Sequence, residues 1–355
     1  MDAGLRLVSP GFTRRTVLAG TAAAIGAAFA APAAAFAEPA YRAAADYSAS
    51  FRGISMLVMR GGRIVFEDYP NGGAPDRPHE LASGAKSFCG VMAAAAVQDR
   101  LLRLDELAAD TLPEWREHPL KRRITIRHIL SLTSGLATRR ARGDLLTYEE
   151  SVAVEAVAEP GTVFAYGGDP FQLFGEILTR KLGRKEDPVA YLKRRVLDPA
   201  GIAFASWRRG RDGMPHLGSG ARLTARDWAR FGEFVRLGGK VEGRPIVNPA
   251  TLEACFQGSA ANPAYGLSWW LNRPMPEARR AAIPQLRLAT DVRPDVPEIP
   301  ADLVLAAGAG KQRLYVSRKE ELVVVRQATG ILEGMRGRGG NGFSDAEFWR
   351  LLRRG

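Results

Sequence analysis

Ser83-Gly84-Ala85-Lys86-Ser87-Phe88-Cys89-Gly90-Val91-Met92-Ala93 is where the rhythm of the chain changes. Before it the apolar residues come in short β-rich runs; from Ser83 onward Phe88, Met92, Ala95, Ala96 and Leu102 recur at helical spacing. Ser83 is therefore expected at or just before a helix N-terminus, with Lys86 one turn in. Upstream, Ile54–Met59 and Arg63–Tyr69 read as two strands joined by Arg60-Gly61-Gly62-Arg63, a hairpin signature. Downstream the middle of the chain reads helical: Asp187-Pro188 opens a helix running through Val196, and Thr224-Ala-Arg-Asp227 opens one that stops at Gly238-Gly239. Strands return at Asp302–Ala307, Gln312–Ser317 and Glu321–Arg326, and a last amphipathic helix spans Ser344–Arg354. Strands at both ends with helices between them imply an α+β arrangement of α/β composition. Its antiparallel sheet is built from the N- and C-terminal strands and flanked by helices, with a mostly helical region inserted at about 88–250.

The composition, 46% hydrophobic and 25% charged over 355 residues, is that of a globular chain and excludes disorder and collagen-like repeats. A net charge of +12 raises the question of nucleic acid, but the excess consists of 42 Arg against 8 Lys scattered along the chain, without a basic arm. No nucleic-acid partner is expected. Thr13-Arg14-Arg15-Thr16-Val17-Leu18 precedes an Ala-rich, weakly apolar run ending in Ala35-Phe36-Ala37. Residues 1–37 thus read as a twin-arginine export signal cleaved near Ala37, leaving a domain over 38–355, exported and periplasmic; a membrane anchor is the alternative. Without Arg6, Arg14, Arg15 and Asp2 the remainder keeps a charge of +10, suited to an anionic cell wall or membrane surface.

Cys89 and Cys255 sit in contexts that favour burial over bridging, and His79, His118, His128 and His216 show no paired-ligand spacing. No metal and no cofactor is expected. Gly337-Arg-Gly-Gly-Asn-Gly342 spells GxGxxG but has no room for a βαβ unit after it, and Gly310-Lys311 lacks the rest of a phosphate loop. There is no GxSxG elbow, and no His follows His216, which disfavours a Ser-His-Asp triad. Between Arg273 and Ala301, prolines at 274, 276, 284, 294, 297 and 300 suggest a structured loop, either a pocket rim or a surface excursion.

Ser83-Gly84-Ala85-Lys86 is the only SxxK in the chain. A serine hydroxyl is a poor nucleophile until a base removes its proton, and a lysine one turn away can lie on the same face. The lysine must be neutral to act, which burial in an apolar helix promotes; an exposed first-turn lysine is the alternative. A Ser at a helix start also has the positive end of the helix dipole beside it.

With the SxxK go Ile126-Arg-His-Ile-Leu-Ser-Leu-Thr-Ser-Gly-Leu136, Pro160-Gly-Thr-Val-Phe-Ala-Tyr166 and Leu223-Thr-Ala-Arg-Asp-Trp-Ala-Arg-Phe-Gly232. Together these ordered segments, across most of 50–330, resemble the serine β-lactamase, penicillin-binding-protein and esterase superfamily, particularly its class C-like branch. The resemblance implies a β-lactamase/transpeptidase-like fold, a nucleophile at Ser83, and a proton relay through Lys86 and Tyr166. It also implies an oxyanion hole from the N–H groups of Ser83 and of Ala309, with Gly308 letting the strand approach. Two departures stand out: the Tyr-x-Asn motif has Gly168 then Asp169 where Asn is usual, and the Lys-Thr-Gly motif reads Ala306-Ala307-Gly308. Lys311 after a register shift, or Arg279 or Arg287 from the Pro-rich stretch, could restore a cation. The function implied is an exported serine hydrolase cleaving a small ester or amide through an acyl-enzyme on Ser83. The alternatives are a D,D-peptidase or β-lactamase acting on carboxylate-bearing substrates, and a non-catalytic cell-wall binding or sensing module.

Overall fold

The computed structural model describes residues 38–138, 145–281, 290–335 and 342–354; the expected export signal and Arg287 lie outside them, as does the side chain of Arg279. The elements that build the sheet layer and carry the site are α1 (Glu38–Ser50), β1 (Gly53–Arg60), β2 (Arg63–Asp68), α2 (Ser87–Gln98), α3 (Asp169–Lys181), α4 (Ala225–Arg236), β3 (Trp270–Leu271), β4 (Val304–Gly308), β5 (Gln312–Ser317), β6 (Leu322–Ala328) and α5 (Asp345–Arg353).

One six-stranded sheet runs β2-β1-β6-β5-β4-β3, antiparallel at every pairing. The expected hairpin forms because Gly61 and Gly62 both take positive φ, 53° and 80°, the backbone that a two-residue turn between right-twisted strands requires. The two ends of the chain then meet: Val58 faces Val324 and Leu57 faces Val325 across β1 and β6. This is the sheet assembled from both termini that the strand pattern implies. Helix α1, for which the sequence carried no prediction, packs with α5 on one face, and α4 covers the other. Gly232 in α4 lets that helix close on the sheet, since a Cβ there would lie 2.6 Å from Val323 Cγ1 and 2.7 Å from Leu314 Cδ1.

The inserted region is helical in the main, with one addition. His79–Glu80, Ala221–Leu223 and Ser206–Trp207 form a small separate sheet beneath the site. Helix α2 also differs from a one-sided amphipathic helix: every residue from Ser87 to Ala96 is buried. A helix apolar all round belongs in the interior, and α2 is the post around which the inserted region packs. Within the Pro-rich stretch, Thr290 and Asp291 are tied to the start of α5. Val292, Val296 and Ile299 are buried, and Asp291 accepts hydrogen bonds from Ser344 Oγ (2.5 Å) and Asp345 N (2.6 Å).

Between sheet and α5 lies a buried ion pair. Arg313 Nε donates to Asp345 Oδ1 at 2.6 Å with both side chains at or below 1% exposure, and Tyr315 donates to the same carboxylate. Burial alone would raise the Asp345 pKa, but Arg313 holds it well below the usual carboxylate range. Asp345→Ala leaves the guanidinium buried without its partner and is expected to cost about 3–5 kcal/mol of unfolding free energy. Urea denaturation of the variant checks this, and a loss under about 1 kcal/mol would contradict it.

Candidate active site

The SxxK does not open the α-helix directly. Ala82–Lys86 forms a one-turn 3₁₀ helix, and α2 begins only at Ser87. In a 3₁₀ turn residues i and i+3 eclipse, so the tighter winding places Lys86 directly over Ser83. The Lys86 Nζ donates to Ser83 Oγ at 2.9 Å and to the carbonyl of Gly218 at 2.8 Å. The ammonium also lies 5.1 Å from the ring centre of Tyr166 and 5.6 Å from that of Phe171. Only 4% of Lys86 is exposed, and burial pulls its pKa down to about 8, against the opposing effects of Cys89 and Asp169. The exposed-lysine alternative is thereby removed.

Tyr166 reaches the same point from the inserted region. The segment before it is laced to the Thr-Ser-Gly-Leu segment: Gly161 N donates to Thr133 O (2.7 Å), Ala165 N to Leu132 O (2.9 Å), and Val157 N to Gly135 O (2.8 Å). Gly135 and Gly161 hold φ of 75° and 86°, where a side chain would be strained. The two family-like segments are thus one scaffold whose product is the placement of Tyr166. Burial raises the phenol pKa, while hydrogen bonding with Ser83 and Trp270 opposes the rise.

Gly308 closes the site from the sheet. A Cβ at this position would collide with the carbonyl oxygen of Leu81 and stand 3.1 Å from Gly84 N, so only glycine lets β4 come so close to the 3₁₀ turn. Ala309 follows at the strand's end. Its carbonyl accepts from Gln312 Nε2 at 3.3 Å, and the same amide donates to Ala328 O and accepts from Ala328 N. Gln312, unremarked in the sequence, therefore ties the carbonyl of Ala309 to the end of β6.

The first departure has a structural answer. A side chain at Gly168 would meet Leu145 Cδ2 at 2.7 Å, and Gly168 packs against Gly218. The Gly218 carbonyl stands as acceptor to Lys86, a role that sequence reasoning missed because any residue type has a carbonyl. Lys311, by contrast, does not supply the third motif's cation. It sits in the β4–β5 turn with φ of 64°, and the charges that act on it are Arg313, Asp345, Asp291 and Arg326, the groups packed under α1 and α5. Cys89 and Cys255 are buried free thiols, their pKa values raised by burial. Among the described residues no group of His, Cys, Asp and Glu gathers in a way that could hold a metal ion.

An antiparallel sheet made from both termini, with a helical region inserted and an SxxK turn between the two, is the β-lactamase/transpeptidase-like fold. Residues 33–330 match the model of the Beta-lactamase family, and the chain belongs to that family, whose members are serine hydrolases. The acyltransferase mokF of Monascus pilosus is 30% identical over 180 residues, a match covering 42% of this chain and 43% of that protein. The chain thus spans less than half the length of this curated relative. Among solved structures, a penicillin-binding protein homologue from Caulobacter crescentus superposes with TM-score 0.64 at 17% identity, over 88% of this chain and 96% of its own. EstCE1, a hydrolase with promiscuous acyltransferase activity, gives 0.63 at 18% identity over 88% and 99%, and a family VIII carboxylesterase 0.63 at 16% over 88% and 96%. At such identities the likeness is one of fold.

Because a lysine accepts a proton only when neutral, reaction at Ser83 is expected to rise with pH and level off above about 8. The rate of covalent labelling by a fluorophosphonate between pH 6 and 10 measures this. A rate that is flat across pH 7–9 would separate Lys86 from the proton transfer.

Proposed function

We propose that the protein is an exported serine hydrolase that cleaves uncharged acyl esters or linear amides through an acyl-enzyme on Ser83. The observation that carries the reading is the 2.9 Å contact between Ser83 Oγ and a lysine whose burial brings its pKa to about 8. Neutral Lys86, directly or through Tyr166, takes the hydroxyl proton as Oγ bonds to the substrate carbonyl carbon. The N–H groups of Ser83 and Ala309 receive the developing oxyanion. The proton then passes by Tyr166 to the departing alcohol or amine as the scissile bond breaks, and water repeats the sequence in reverse to release the acid. A second reading, acyl transfer to an alcohol or amine in place of water, is favoured by the 30% identity with an acyltransferase.

The substrate class follows from Ala306. A side chain that offers neither charge nor hydrogen bond stands where the resembling lactamases and D,D-peptidases carry a cation, and Lys311 faces other charges. A charge-assisted hydrogen bond contributes roughly 1.5–3 kcal/mol, or about ten- to a hundredfold in binding. The small ester or amide is thus read as uncharged, and D,D-peptidase or β-lactamase action as secondary. Export through the twin-arginine signal and association of the +10 remainder with an anionic wall or membrane surface complete the proposal.

Ser83→Ala is expected to lose fluorophosphonate labelling and turnover while keeping its melting temperature, and Lys86→Ala to lose rate by about three powers of ten. Absence of labelling in the natural chain would instead favour a non-catalytic binding module. A neutral ester is expected to give a kcat/KM at least about tenfold above that of a chromogenic cephalosporin; the reverse order would overturn the substrate class. Fractionation of cells expressing the full chain is expected to find it trimmed near Ala37 outside the cytoplasm, and held inside when Arg14 and Arg15 become Lys.

A further inference from the structure

The Gly218 carbonyl that receives Lys86 belongs to a short turn over residues 216–220, and that turn is held from three directions. Gly220 N and Ser219 N donate back to His216 O at 2.8 and 3.3 Å, closing the turn, and Trp207 Nε1 donates to the same oxygen at 2.9 Å. From outside, Arg208 donates to Ser219 Oγ at 3.3 Å. From inside, Leu217 N donates to Oε1 of Gln172 at 3.1 Å. Gln172 lies one turn into α3 with no exposed surface, and its Nε2 donates in the other direction to the carbonyl of Leu146 at 3.2 Å. Leu146 is itself anchored to the start of the helix, its N–H donating to Asp169 Oδ1 at 3.4 Å. Around Gln172 in the helix are Phe171, Leu173 and Phe174, all buried. A buried amide is costly unless its hydrogen bonds are made, and both ends of this one are made to backbone on either side of the lysine's carbonyl acceptor.

We propose that Gln172 is a positioning residue for Lys86: by holding Leu217 N it fixes the adjacent Gly218 carbonyl, and that carbonyl turns the lysine amine so that its electron pair faces Ser83 Oγ. The inference rests on the serine-hydrolase reading above. A neutral amine has two N–H bonds and one lone pair. With one N–H held by Gly218 O at 2.8 Å, rotation of the amine is restricted and the lone pair is kept toward the hydroxyl 2.9 Å away. When the Ser83 proton reaches Nζ the amine becomes an ammonium, and its bond to Gly218 O is then charge-assisted. The carbonyl thus favours the charged form and opposes the effect of burial. The titratable and charged groups around this point are Tyr166 and Asp169 from the segment entering α3, Cys89 from α2, whose thiol lies 4.0 Å from Leu217 O, and His216 and Arg208 beside the turn. Gln172 does not titrate, so its influence on a pH profile passes through Lys86. No bond is made or broken at Gln172.

The test is the pH profile of fluorophosphonate labelling and of p-nitrophenyl ester turnover in Gln172→Met, made in the full chain. Met keeps the length and the packing but offers Leu217 N no comparable acceptor. The plateau kcat is expected to fall by about tenfold with KM within about twofold. The half-rise of the profile is expected to move by about half a unit to one unit below its natural position near pH 8, because an ammonium deprived of its acceptor gives up its proton more readily. Phe174→Leu, a change of packing on the same helix at a side chain with no hydrogen bond to the turn, is expected to lower the melting temperature without moving the half-rise. An unmoved or raised half-rise in Gln172→Met would overturn the proposal, and so would an equal movement in Phe174→Leu, since loosening of the helix would then be the whole effect. If Gln172→Met does not fold, Gln172→Asn, whose amide is one methylene too short to span Leu146 and Leu217, carries the same expectation and the same refutation. Failure of the natural chain to label at Ser83 would remove the hydrolase reading and this inference with it, whereas normal labelling with an unmoved half-rise in the Gln172 variant would remove the inference alone.

Discussion

A lysine can serve as a base at ordinary pH only if its charged form is made uncomfortable, and the surroundings of Lys86 do this. The residue sits at the foot of a helix buried on every side, over two aromatic rings, with one carbonyl and one hydroxyl as its polar contacts. An isolated buried ammonium is costly, and the usual relief is loss of the proton. The apolar character of α2 is therefore part of the proposed chemistry: the same Phe, Val, Met and Ala side chains that anchor the helix also lower the pKa of its lysine.

Burial of Lys86 requires walls on three sides, and each comes from a different stretch of chain. The 3₁₀ turn supplies Ser83, the scaffold of Leu132–Leu136 against Pro160–Tyr166 supplies the phenol, and β4 supplies the glycine backbone. The sheet face opposite the site is closed by α1 and α5, where Arg313 and Asp345 form a fully buried pair and Arg326 donates to Ser48 and Phe51 while lying 3.9 Å from the ring centre of Phe343. Such pairs add little net stability. They do link β5 and β6 to the terminal helices, and so bear on where the β4–β5 turn, with Ala309, comes to rest.

At the position where the resembling enzymes have an Asn, the backbone is closely packed. Gly168 and Gly218 lie against each other so tightly that a side chain at the first would collide with Leu145, and the Gly218 carbonyl meets the lysine directly. Ala306 carries no polar group where the resembling enzymes carry a cation, which suits the uncharged substrates proposed.

Legibility in the sequence followed the range of the forces involved. Turn glycines, helix caps and apolar periodicity act over a few residues, so Gly61-Gly62, the Thr224 cap and the β4–β6 strands could be read directly, as could Ser83 and Lys86 as a pair one turn apart. Helix α1 escaped because its residues alternate small and polar types without a strong apolar stripe, and the small sheet at His79–Glu80 because its strands are two or three residues long. The contacts of Gly218 and Gln312 join residues 132 and 16 positions apart, and the group that meets Lys86, a backbone carbonyl, has no side-chain signature. The sequence by itself determined the order of strands and helices and which serine and lysine would meet, because both are set by local backbone preference and spacing. Only the tertiary structure decided how deeply that lysine is buried, which carbonyl holds it, and where Lys311 points, because desolvation and cross-chain hydrogen bonds exist only once distant segments have packed together.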